Sequence, residues 1–157
     1  MASGGDRAER PLGAVVRRHI DKAQDRLLSE GRAITPTTPA EEVHELRKDA
    51  KKLRYLLECF GGLLPPAERK AFVKRLKELQ DNLGEHQDAA VHVAQLHDAV
   101  DELPAGVPPE TFVAIGQLIE QLDRRRQGAR DEFAERFARY DSKATHQAFA
   151  DVLDGTS

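Results

Sequence analysis

Apolar residues recur along this chain at helical spacing, and nowhere do they alternate in the manner of a half-buried strand. Residues 43–60 read VHELRKDAKKLRYLLECF. On an ideal helix Val43, Leu46, Ala50, Leu53, Leu57 and Phe60 fall in one arc roughly 100° wide. An earlier stripe of Leu12, Val15, Val16, Ala23 and Leu27 predicts a first helix from about Pro11 to Glu30. Pro11 suits its first turn, Gly31 its stop, and His19 falls inside the stripe as a core-edge residue. Thr38, Pro39 and Glu41 form a capping-box start for the second helix, which should end at Gly61-Gly62. Phe72, Leu76, Leu79 and Leu83 mark a third helix starting at or just after Pro66. A break or bend is expected at Gly84, then another helix to about Glu102. Beyond the loop LPAGVPPE, the stripe Phe112, Ile115, Ile119, Leu122, Phe133 and Phe137 predicts a long helix from about Pro109 to Tyr140. The last residues should add a short helical turn or fray. The expected fold class is all-α, an antiparallel bundle of four to five main helices in one domain over residues 11–152. Residues 1–10 are polar and expected to form a disordered tail.

Composition narrows the setting. The one cysteine, Cys59, excludes an internal disulfide and is expected to be a passive thiol near a helix end. No apolar run approaches the roughly 18–20 residues of a membrane span, and the N-terminus lacks an apolar signal region. A cytoplasmic protein with no membrane partner is expected.

Charge changes the picture more. The net charge is −3, but it is unevenly spread. Residues 1–43 are neutral, residues 44–77 carry a net +6 and residues 78–157 a net −9. The face of the second helix opposite its apolar arc presents His44, Arg47, Lys48, Lys51 and Tyr55, with Lys52 and Arg54 alongside. Lys70, Lys74 and Lys77 repeat the pattern on the third helix. Arg126 and Arg130 fall, unexpectedly, near the apolar stripe of the long last helix. Such asymmetry points to a local anion site.

Catalytic signatures are missing: there is no phosphate-binding glycine loop, no nucleophile elbow and no His-Glu-x-x-His motif. Glu41 and His44 have the spacing of half a di-metal motif, but the second half is missing. Asp88 and His92, with His86 or His97 nearby, read as ordinary polar surface. No enzymatic activity, no metal and no cofactor are expected.

Arrays of Lys and Arg bind repeated phosphates largely through counterion release, and arginine adds bidentate hydrogen bonds. His44 adds a contact whose charge changes near neutrality. Nucleic-acid binders usually supply stacking aromatics, whereas this chain has no Trp, 2 Tyr and 6 Phe, the last mostly at core positions. An anion without bases is favoured.

The second-helix segment, followed by KRLKELQDNLGEHQDAAV, resembles the CHAD family, the conserved histidine α-helical domain. The matching pieces are His44, Arg47, Lys48, Lys51, Lys52, Arg54 and Tyr55, then Leu79-Gln80, Leu83-Gly84 and Asp88. GQLIEQLDRRRQGARDEF is similar to the family's final helix. The resemblance implies a helical domain that binds inorganic polyphosphate through a basic groove, and an association with polyphosphate granules. It makes His44 the signature histidine and the basic residues from Arg47 to Arg54 phosphate contacts. Lys70, Lys74 and Lys77 join them by charge pattern, with Arg126 and Arg130 as further candidates. Full CHAD domains hold two similar halves, and this chain resembles the second alone; a homodimer would restore the two-half arrangement. The alternative function is a protein-interaction module whose basic face docks an acidic partner.

Overall fold

The computed structural model describes residues 3–155. Among these, the chain forms five α-helices and no strand: α1 (Ser3–Arg32), α2 (Ala40–Cys59), α3 (Pro66–Asp101), α4 (Pro109–Tyr140) and α5 (Lys143–Asp154). A single 3-10 turn, Gly61–Leu63, joins α2 to α3. The expected all-α bundle is therefore found, with α2 packed between α1 and α3, and α3 also against α4 and α5.

The core follows the predicted stripes in its centre. Leu46, Leu53 and Leu57 of α2 meet Phe72, Leu76 and Leu79 of α3, Ile20 and Leu27 of α1, and Phe137 and Tyr140 of α4. Gly31 is buried, and a Cβ there would run into the ring of Phe137. The glycine thus serves close approach of α4 to α1, and α1 continues through it to Arg32. Tyr140 donates a hydrogen bond to Gln24 Oε1 inside the core. Arg32 grips Asp141 at the end of α4 with two bonds of 2.8 and 2.9 Å.

Several local expectations differ from the structure. α1 begins at Ser3, ahead of Pro11, so the backbone of residues 3–10 is helical where a tail was expected. Leu12 and Val15 are exposed, as is His19; the buried stripe of α1 is Val16, Ile20, Ala23 and Leu27. The Thr38 hydroxyl accepts from the Thr35 N–H at 2.7 Å, which tightens the α1–α2 turn, so it makes no cap on α2 and Pro39 is the N-cap. Gly84 does not interrupt α3, which runs unbroken from Pro66 to Asp101. One glycine costs a helix only about 1 kcal/mol, and good helix formers flank this one. α5 is a full helix of 12 residues, N-capped by Ser142 and anchored by Phe149, Val152 and Leu153. Its apolar residues are too few to stand out as a stripe.

The long helices α3 and α4 outrun the bundle. The last buried residue of α3 is Ala89 and the first of α4 is Ala129. Between them, no residue from 90 to 128 is buried. Phe112, assigned to the core stripe, is 46% exposed, and Ile115, Ile119 and Leu122 are only half-buried. These residues pack only within a two-helix arm, because α1, α2 and α5 end short of it. Gly106, with φ at 90°, takes the left-handed conformation in the turn at the tip of the arm.

Candidate functional site

The basic residues of α2 divide between two concave surfaces. Arg47, Lys51 and Arg54 line a cleft of about 550 Å³, facing Gln80, Gly84, Asp88 and His92 of α3 and Arg125 of α4. Arg47 lies across α3 near Gly84, with its Nε 4.0 Å from where a Cβ there would sit. Arg54 is held in place by Glu58 at 2.8 Å and Gln80 at 3.4 Å. Arg47, Lys51 and Arg125 make no hydrogen bond or ion pair with a described residue. Asp81, Glu85 and Asp88 share the cleft, so the cations face carboxylates as well as solvent.

Lys48, Lys52 and Tyr55 point to the second surface. With Lys51 they rim a mainly apolar recess of about 490 Å³ floored by Leu56, Cys59 and Phe60. Tyr55 is 59% exposed there. Lys48 is paired with Glu45 at 3.0 Å, while Lys52 has no described partner. Cys59 is a free, exposed thiol at the end of α2.

A third hollow, of about 520 Å³, lies beside the first and shares Asp81 with it. Lys70, Lys74 and Lys77 line it together with Arg69, whose guanidinium lies against Gly61. None of these three lysines is ion-paired with a described residue. The basic surfaces of α2 and α3 are thus contiguous.

Three sequence candidates stand apart. His44 is half-buried, with a buried Nδ1 that has no hydrogen-bond partner, and it lines none of the three hollows. Arg130 donates to the carbonyl oxygens of Thr35 at 2.7 Å and Thr38 at 2.6 Å, and so clamps the α1–α2 turn. Burial, and then the nearby charge of Arg126, lower its pKa. Arg126 pairs with Asp123 at 3.2 Å. Both arginines lie near buried His86, which burial first, and then their charges, hold below the ordinary histidine range. Their proximity to the apolar stripe thus has a structural explanation. Sequence reading passed over Arg69 and Arg125; each adjoins a chosen cation, and periodicity alone does not tell neighbours apart on a crowded basic helix.

The family model for the CHAD domain matches residues 2–97. The chain belongs to the CHAD family. The match covers α2 and nearly all of α3, the two helices that carry the basic hollows. CHAD domains are a binding and structural family not known for catalysis. A search of curated proteins finds no match. Among the described residues, no three His, Cys, Asp or Glu side chains converge as metal ligands. No helix among the described residues is long and apolar enough to cross a membrane.

Proposed function

We propose that this CHAD domain binds inorganic polyphosphate, without catalysis, along the joined basic hollows of α2 and α3. The observation that carries this reading is the cleft in which Arg47, Lys51, Arg54 and Arg125 converge from two helices, three of them without a partner among the described residues. An open cleft continuing into the hollow of Lys70, Lys74 and Lys77 suits a flexible chain of phosphates better than one compact anion. Arginine there supplies bidentate hydrogen bonds, and lysine supplies mobile charge. Family membership supports the same ligand. Asp81, Glu85 and Asp88 would repel an anion entering deeply, so contact is made at the rim through the ends of the long side chains. A cytoplasmic location, at polyphosphate granules, accords with this reading.

The decisive variant is Arg47→Glu with Lys51→Glu. It should lose most polyphosphate affinity while its helical circular dichroism and melting stay close to wild type. Lys48→Glu alone should matter less, since Glu45 already neutralises Lys48. Full affinity in a folded double variant overturns the reading.

The lysine-rimmed recess on α2 favours a second reading, an interaction module that docks an acidic partner. Its apolar floor of Leu56 and Phe60 fits a folded protein better than a phosphate chain. On that reading polyphosphate binds poorly and Tyr55→Ser is the damaging substitution.

A further inference from the structure

The arm and the α2 recess have opposite chemistry. Residues 90–123 contain six acidic side chains and no Lys or Arg. The arm also exposes Phe112 at 46%, Val113 at 60% and Leu118 at 44%. On the helix wheel Phe112 and Val113 share one flank of α4. Glu120 and Asp123 on that flank are already paired, with Arg124 at 2.8 Å and Arg126 at 3.2 Å. The acids without a described partner are Asp98, Asp101, Glu102 and Glu110, around the tip. The tip of the arm is therefore apolar and acidic together. The recess is apolar and basic together: Leu56, Phe60 and the Tyr55 ring are rimmed by Lys48, Lys51 and Lys52.

These two surfaces do not meet within one molecule. The recess lies level with the first half of α3, where Arg54 bonds Gln80. Phe112 follows the turn at the far end of α3, some twenty residues on. At 1.5 Å per residue that is a separation of roughly 30 Å along a straight helix. α3 is continuous, so the arm has no hinge with which to fold back.

We infer that the arm of one copy docks in the α2 recess of a second copy, and that the same contact is made in reverse. Each chain carries one arm and one recess, so the exchange closes with two-fold symmetry and leaves neither surface open. Docking covers Phe112 and Val113, which the arm leaves in water, and opposite charges set the register. Arm against arm is disfavoured, since both are acidic. This rests on the proposed function in one respect only: the arm and a polyphosphate chain would compete for Lys51.

The recess contains the chain's one cysteine, which permits a direct test. Val113→Cys is made in the full chain, oxidised under mild conditions without polyphosphate, and the disulfides are mapped by peptide mass spectrometry. The expected product is a covalent dimer joined from Cys59 of one copy to position 113 of the other. Adding Cys59→Ser should abolish that link. Products linked only between identical positions, or no covalent dimer, overturn the inference. Sedimentation of the unmodified chain gives the second readout. It should dimerise at low salt, and dissociate at least tenfold more readily after Phe112→Ser with Val113→Ser. Both side chains are exposed in the monomer, so folding should be unaffected. A chain that is monomeric at low salt, or a dimer indifferent to the arm substitutions, overturns it equally. Neither measurement contains polyphosphate, so failure here leaves the proposed function standing, and the converse holds.

Discussion

The two ends of the α3–α4 pair are made by the same helices and differ in almost everything else. In the base, α3 is flanked by α2 and α5 as well as α4, and Phe72, Leu76, Leu79 and Leu83 are completely or almost completely buried. In the arm, only two helices meet, and residues at the same helical spacing remain partly exposed. Periodicity states which residues share a face, but burial needs a third element to cover that face. Charge divides along the same line. The base carries the free cations of α2 and α3, while the arm carries acids without a single Lys or Arg between residues 90 and 123. The two proposals follow the division: the anion site is assigned to the base, and the arm is assigned to a cationic recess.

Substitutions that delete apolar groups should separate the ends most sharply. Phe72→Ala leaves a cavity among Leu57, Tyr140 and Phe149, and should cost about 3–5 kcal/mol in chemical denaturation. Leu118→Ala in the arm should cost far less, about 0.5 kcal/mol, since Leu118 is 44% exposed. Equal costs would dissolve the distinction between base and arm.

Glycines offer a smaller contrast with opposite signs. Gly31→Ala should cost about 1–3 kcal/mol, because the new methyl meets the Phe137 ring. Gly116→Ala in the arm meets nothing within 4 Å and should stabilise the protein by up to about 1 kcal/mol through helix propensity. Stabilisation at both sites would mean that α4 does not press on α1.

Dependence on pH should also come from the base. Arg26 reaches both Glu30 at 3.0 Å and Asp49 at 3.5 Å across the α1–α2 seam. Burial first, and then Glu30, raise the Asp49 carboxyl to about 7. A folded pKa above the unfolded value means the native state holds the proton more tightly. That stability is full below about pH 4 and is lost as the pH rises through about 7. Asp49→Asn should therefore flatten the decline between pH 5 and 8 seen in thermal melts of the wild type; an unchanged slope would remove Asp49 as its source. Asp141 has the opposite sign. Hydrogen bonds from Arg32, and then from His146, lower its carboxyl to about 2. Its contribution is present above about pH 4 and is lost as the pH falls through about 2.

Much of the base was legible in the sequence. The stripe of α2 and the opposite arc of Arg47, Lys48 and Lys51 set out both its buried face and its basic face. Long-range geometry was not legible. Nothing in the spacing of Arg126 and Arg130 shows that the second clamps Thr35 and Thr38, some ninety positions earlier. Local glycine rules misread Gly84, which its helix-forming neighbours carry through α3, and missed that Gly31 is explained by the Phe137 ring packed against it. The exposure of Phe112 was hidden for the same reason, since its helical spacing matches that of Phe133 while its surroundings do not.

The central claim, that the basic face of α2 and α3 receives polyphosphate, is tested most directly by titration at low and moderate salt, beside single-stranded DNA of matched charge. Tight binding that prefers polyphosphate, weakens with salt, and loses roughly one unit of salt slope for each cleft cation removed is the predicted result. Equal binding of both polymers, or none, would contradict it.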